Sequence, residues 1–294
     1  MTDQLATAYL ETVRARALSP QGGFALQAGG SFQVDATAWA VLALKALGQG
    51  AALLDAARAR LAAQQLADGR VILSPEHPET FWPTPLAILA WHRAPAQREA
   101  QARAVRFLLA TAGRHWPRGK DNTFLHDPSI KGWPWIAETH SWVEPTALAV
   151  MALKITGYGE HARVKEAIRL LLDRQLPGGG WNYGNTKVFN QELFPFPEST
   201  GMALNALRGD ARPEEIQKSL AYLKSGVRKV RTPLALGWGL LGLAAWGEEP
   251  REAPAWTSEC LGRQEKYGPY DTASLSVLCL AARAPQGLAS IFKE

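Results

Sequence analysis

Cysteine is nearly missing from this 294-residue chain, which holds only Cys260 and Cys279. Two cysteines cannot build a disulfide framework, and neither lies in a metal-ligand spacing, so a thiolate metal site is excluded as well. Cys279, inside the apolar run LSVLCLAA, reads as a buried structural thiol. Long apolar runs are missing too: charges interrupt every candidate before the roughly 20 residues of a membrane span. The opening MTDQLATAYLETVRAR is an amphipathic helix start and lacks a basic-then-apolar leader, which predicts a cytoplasmic protein. No nucleic-acid motif accompanies the basic residues, and no cofactor or metal is predicted. Net charge is +5, from 32 Lys and Arg against 27 Asp and Glu. The basic residues are dense only at Lys224, Arg228, Lys229 and Arg231, a solvated loop between helices or a patch for peripheral contact with an anionic membrane or an acidic partner.

Apolar residues, by contrast, are plentiful at 47%, and they come in a repeated phrase. An acidic or turn residue precedes a threonine, followed by small and branched apolar residues. It reads VDATAWAVLALKALG from Val34, FWPTPLAILAW from Phe81, WVEPTALAVMALK from Trp142, FPESTGMALNALRG from Phe196, TPLALGWGLLGLAAWG from Thr232 and YDTASLSVLCLAA from Tyr270. A repeat of this kind cannot bury its apolar face alone and needs its neighbours.

A second type of helix precedes each copy. In EHARVKEAIRLLLDRQ the apolar residues Val164, Ala167, Ile168 and Leu171 follow i, i+3, i+4, i+7, giving one buried stripe and one wet face. Helices of the repeated phrase are apolar all round and must be covered on every side. The packing solution is an inner apolar ring wrapped by an outer amphipathic ring. The pattern predicts an all-α protein, an α6/α6 toroid in one domain over residues 1–294. Its helices are placed at 4–17, 34–48, 52–66, 83–93, 97–112, 143–157, 160–175, 198–208, 213–225, 232–247, 254–265 and 270–282. Inner axes lie roughly 10 Å from the centre, leaving a lumen on the order of 10 Å wide unless large side chains fill it.

Pro85, Pro145 and Pro233 mark first helical turns, and Asp35, Glu144, Glu198 and Asp271 lie at helix N-termini, where carboxylates favour capping. All inner N-termini therefore gather at one mouth, fed by long loops at 67–82, 113–142 and 176–197. Segment 122–145 concentrates Trp133, Trp135 and Trp142 with His126, Asp127, His140 and Glu144. Their spacing fits no compact metal site. Trp82, Trp133, Trp135, His140, Trp142, Trp181 and Tyr183 are the ligand-binding candidates, and Asp35, Glu144 and Glu198 the catalytic ones. Aromatic faces suit carbocations, flat apolar surfaces or sugars. The same residues can equally seal the ring.

The stretch AIRLLLDRQLPGGGW, with Gln175 and Trp181, resembles the QW repeat of terpenoid cyclases and related prenyltransferase toroids, with weaker echoes at Gln65, Asp68 and Gly69 and at Gln21, Gly22 and Gly23. The resemblance implies that Gln175 bonds backbone groups at a neighbouring helix end and that Trp181 stacks over it. It also implies an isoprenoid or other elongated apolar ligand in the lumen, and cyclisation or isomerisation by protonation. Where squalene-hopene-type cyclases carry DxDD(T), this chain has Gln33, Val34, Asp35, Ala36 and Thr37: the central acid without its flanking acids. A lone Asp35 is expected to stay ionised. Neither cysteine stands in the Asp-x-Cys context of the zinc-dependent prenyltransferases. Three readings follow: a cyclase or isomerase, a non-catalytic lipid-binding or scaffolding protein, and a helical-barrel enzyme acting on glycosides with paired acids.

Overall fold

In the computed structural model, residues 2–119, 126–188 and 191–293 are described. The candidate segments 122–145 and 178–200 therefore lie partly outside the described residues, at 122–125 and 189–190.

Helices that are apolar on every side occupy the interior. These are α2 (Val34–Ala46), α4 (Pro83–Ala90), α6 (Val143–Ile155), α8 (Pro197–Leu207), α10 (Pro233–Ala245) and α13 (Thr272–Arg283). α2 packs on α4, α4 on α6, α6 on α8, α8 on α10, α10 on α13, and α13 returns to α2, closing a ring. Every residue of α6 from Val143 to Leu153 is buried. One-striped helices cover the outside: α1 (Thr2–Ala15), α3 (Ala51–Ala62), α5 (Arg98–Ala110), α7 (Ala162–Asp173), α9 (Pro213–Gly226) and α11 (Ala253–Gly262). α7 buries Val164, Ala167, Ile168, Leu170 and Leu171 and leaves its charged face wet. A short α12 (Gln264–Tyr267) and a two-residue hairpin, β1 (Lys187–Val188) with β2 (Gln191–Glu192), complete the described elements apart from single 3₁₀ turns. The molecule is an α/α toroid, and among the described residues no helix is long and apolar enough to cross a membrane.

Helix limits differ from the sequence expectation where side chains intervene. The helix expected at 160–175 begins at Ala162, because the His161 ring accepts from the Arg163 N–H at 3.2 Å and caps it. The one expected at 52–66 stops at Ala62, and the chain then turns so that Gln65 bridges to Val71.

The threonine of the repeated phrase has a mechanical role. Thr84 Oγ1 accepts from the Val71 N–H at 3.0 Å and donates to the Val71 carbonyl at 3.3 Å. Thr37 holds Phe24, Thr146 holds Trp133 and Thr200 holds Trp181 in the same two-way grip. Each grip satisfies a buried N–H and C=O in the preceding loop, groups that are costly to leave unpaired. The QW-like turns add a second tie. Gly179 has φ +93°, and a Cβ there would lie 2.5 Å from the Lys218 backbone of α9, so the turn rests directly on the outer helix. Gln65, in a weaker echo of the repeat, bonds the Ala100 carbonyl of α5 at 2.8 Å, the kind of tie that the resemblance implies for Gln175. Gln175 departs from it: its amide donates to the Ser219 hydroxyl, which also accepts from the Gly180 N–H, so a side chain replaces the backbone group.

Two features close the lumen that geometry alone left about 10 Å wide. Trp39 of α2 and Trp238 of α10 meet edge to face with ring centroids 5.5 Å apart. Their helices are separated in the ring by α13, so the pair bridges the interior. At the C-terminal pole the turn Leu288–Phe292 packs against α2, α6, α10 and α13, with Phe292 under the Lys45 ammonium (4.9 Å) and against His92 (5.3 Å). The N-termini of the inner helices lie at the opposite pole.

Candidate active site at the mouth

At the starts of the inner helices, at that pole, stand Asp35, Trp82, Glu144, Glu198, Leu234 and Asp271. One turn further along, on the same helix faces, stand Trp39, Leu86, Leu148, Met202, Trp238 and Leu275, all buried. A tier of mostly acidic groups therefore overlies an apolar tier.

Glu144 is the most perturbed of these acids. It is only 6% exposed, and burial pushes its carboxyl up to about 7; the Ser199 hydroxyl, donating to Oε1 at 2.7 Å, partly offsets this, and the nearby Glu198 charge adds to it. Burial also holds the half-buried Asp35 above the usual carboxylate range. Backbone N–H groups of its own turn work against that shift, and the Asp271 charge works with it. At Asp35 desolvation therefore acts against the helix N-terminus that the sequence shows. Capping describes Asp271, whose Oδ1 accepts from the Ser274 N–H at 2.8 Å, but neither Glu144 nor Glu198, whose helices have no side-chain cap.

The aromatic candidates divide into two sets. Trp82 and Trp135 are half-buried and meet edge to face at 6.0 Å beside α4. His140 stacks on Trp142 at 4.0 Å beside α6, and Tyr183, 47% exposed, lies 5.0 Å from Phe196 beside α8. Burial, together with the Glu144 and Glu198 charges, raises the Tyr183 hydroxyl. Trp133 and Trp181, however, are wall residues rather than mouth residues. Both are sealed in the core, and their indole N–H groups donate to the Leu108 carbonyl (2.9 Å) and the Leu171 carbonyl (2.6 Å). Trp181 thus anchors the turn to α7.

His126 bonds the Thr186 hydroxyl, and the Asp127 carboxylate accepts from the Ser129 N–H and hydroxyl, so both are engaged locally. Among the described residues no group of three or more His, Cys, Asp or Glu is arranged around a metal position. Lys224 pairs with Glu248 at 2.7 Å, while Arg228, Lys229 and Arg231 are exposed between α9 and α10.

Ser199, Phe196, Trp39 and Trp238 were not singled out in the sequence. Ser199 stands where other copies of the phrase carry Ala36, Pro83 or Pro145, so a hydroxyl in place of these apolar residues was its signal. The two indoles lie four residues after Asp35 and Leu234.

No protein-family model matches the chain, and no curated protein matches it in sequence. Solved structures do. An inactive variant of the alpha-1,6-mannanase GH76A of Salegentibacter sp., in complex with alpha-1,6-mannotriose, aligns over 97% of this chain and 99% of that one, at 12% identity and a TM-score of 0.64. The type II terpene cyclase MstE from Scytonema aligns over 97% and 98%, at 16% identity and 0.60. The ent-copalyl diphosphate synthase from Streptomyces platensis aligns over 88% of this chain and 50% of that one, at 16% identity and 0.54. At such identities the likeness establishes a shared fold: the α/α toroid houses both kinds of enzyme.

Proposed function

We propose that the mouth binds an elongated apolar molecule of the isoprenoid class and protonates it, with Glu144 as the acid. The observation that carries this is the position of Glu144: a buried carboxyl, pushed up to about 7 by that burial, one turn before the buried Leu148 in a ring whose corresponding positions Met202, Trp39 and Trp238 are buried too. Apolar walls suit a hydrocarbon and lower the dielectric around the acid. In the step envisaged, the Glu144 O–H bond breaks and its proton forms a C–H bond with one alkene carbon. The positive charge passes to the other carbon, an internal double bond can take it over as a ring closes, and loss of a neighbouring proton to the Glu144 carboxylate left by the first step discharges it. Trp82, Trp135, Trp142 and Tyr183 present π faces to that charge. The half-buried Asp35, its carboxyl also raised, is the second acid within the tier, and Glu198 with Ser199 sets the field and hydrogen bond at Glu144.

The test is incubation with squalene, shorter polyprenyl diphosphates and polyprenols, with products read by mass spectrometry. Conversion by wild type that disappears in Glu144→Gln supports the proposal; substrate pools left unchanged by wild type overturn it. A co-purified lipid seen by native mass spectrometry without turnover would instead mark a non-catalytic binding protein.

A glycoside-acting enzyme is the second reading, favoured by the adjacency of Glu144 and Glu198. Two neighbouring carboxyls, one of them raised by burial, are the paired acids that glycoside chemistry uses. Incubation with alpha-1,6-linked manno-oligosaccharides separates the two, and the apolar tier beneath the acids favours the first.

A further inference from the structure

Beside the mouth, between the loops that precede α6 and α8, lies a cavity of about 500 Å³ that the chemistry above does not use. Arg174, Arg114, His126, His140, Asn185 and Trp116 are among its lining residues. Its base is unusual. Arg174 is 5% exposed, and burial lowers its guanidinium to about 10. One terminal nitrogen donates to the Gly184 carbonyl at 2.8 Å, but the buried Nε has no hydrogen-bond acceptor, and the Asp173 carboxylate stands 3.6 Å from it. The Nε2 of His140 is also buried without a hydrogen-bond partner, although the ring is stacked on Trp142. Arg174 lies close enough to depress both His140 and His126 after burial itself.

The Nε of a buried guanidinium and the Nε2 of an imidazole, each without a hydrogen-bond partner and both on residues lining one cavity, are complementary to an oxyanion when Nε2 carries the proton. Arginine presents several donors in a fixed fork, and such charge-assisted bonds strengthen when desolvated. The opposing charges are partly committed elsewhere: Asp127 accepts from Ser129, Asp173 accepts from the Asp127 N–H, and Glu138 pairs with Arg114. Trp116, 52% exposed, gives the cavity an aromatic wall next to His140.

We infer that this cavity is an anion subsite in which Arg174 and His140 hold the phosphoryl or carboxylate group of a ligand. This deepens the proposed function, because an apolar ligand with an anionic head would lay its chain toward the mouth beyond Trp142. The site's own existence does not depend on turnover at Glu144.

The test is isothermal titration of the full chain with inorganic pyrophosphate, orthophosphate and benzoate at fixed ionic strength. Saturable one-site binding at about 1 mM or tighter is expected for at least one of them. Preference for the phosphates identifies a phosphoryl head and preference for benzoate a carboxylate head. Arg174→Gln should abolish binding. Because Arg174 also ties down Gly184, His140→Ala is the second variant, expected to weaken binding by about tenfold while the thermal transition stays cooperative. Glu144→Gln should bind the anion as wild type does, so a failed turnover assay leaves this measurement standing. No saturable binding to wild type, or binding that neither Arg174→Gln nor His140→Ala alters, overturns the inference.

Discussion

Ser199 Oγ donates to Glu144 Oε1 at 2.7 Å, joining the first turn of α8 to that of α6. The bond favours the ionised carboxylate, so it works against the burial that keeps Glu144 protonated. Removing it in Ser199→Ala should leave the acid still harder to ionise. The expected outcome is a titration of Glu144 displaced to higher pH, read by carboxyl ¹³C NMR.

Stability should depend on pH through the same group. The unfolded chain releases the Glu144 proton near 4.5, whereas the folded protein keeps it up to about 7. Between those values the folded state binds the extra proton, so stability is full below pH 4.5 and declines as pH rises toward 7. The loss amounts to about 3 kcal/mol. Glu144→Gln cannot ionise, and urea unfolding at pH 8 should show it more stable than wild type by up to that amount, even as it loses proton-transfer activity.

The threonine grips make a purely structural prediction. Thr146→Val keeps the shape but leaves the Trp133 N–H and carbonyl without their partner. The expected cost is about 1–3 kcal/mol by denaturant unfolding, with the same fold by circular dichroism. Thr84→Val should behave alike at Val71.

Helices α8 and α10 approach closely because Gly201 has no side chain. A Cβ there would lie 2.0 Å from the Trp238 carbonyl oxygen, and backbone cannot swing aside as a flexible side chain can. Gly201→Ala should destabilise by about 3 kcal/mol in thermal or urea unfolding. It should also loosen the Trp39–Trp238 bridge below the mouth.

Legibility in the sequence followed the physics of each feature. Two concentric helix layers could be read because burial on one face or on all faces leaves a periodic trace, as the stripe of Val164, Ala167, Ile168 and Leu171 shows. The common mouth could be read from Pro145 and Pro233 and from acids at equivalent helix starts. What could not be read was direction and competition. Trp133 and Trp181 look like mouth residues in a Trp-rich loop, yet a buried backbone carbonyl claims each indole N–H. At Asp35 the helix N-terminus is visible in sequence, while the desolvation that raises its carboxyl is not. Gln175 found Ser219 rather than backbone, a partner set by the packing of α7 on its neighbours. The filling of the lumen rests on Trp39 and Trp238, which are 199 positions apart (238 minus 39) and meet only once the ring closes.

The site depends above all on whether Glu144 holds a proton at neutral pH. Carboxyl ¹³C NMR of glutamate-labelled protein, with the Glu144 resonance assigned by its disappearance in Glu144→Gln, measures this without any substrate. One glutamate titrating near 7 is the expected result. A Glu144 resonance that titrates with the ordinary glutamates near 4.5 would contradict it and remove the acid from the mouth.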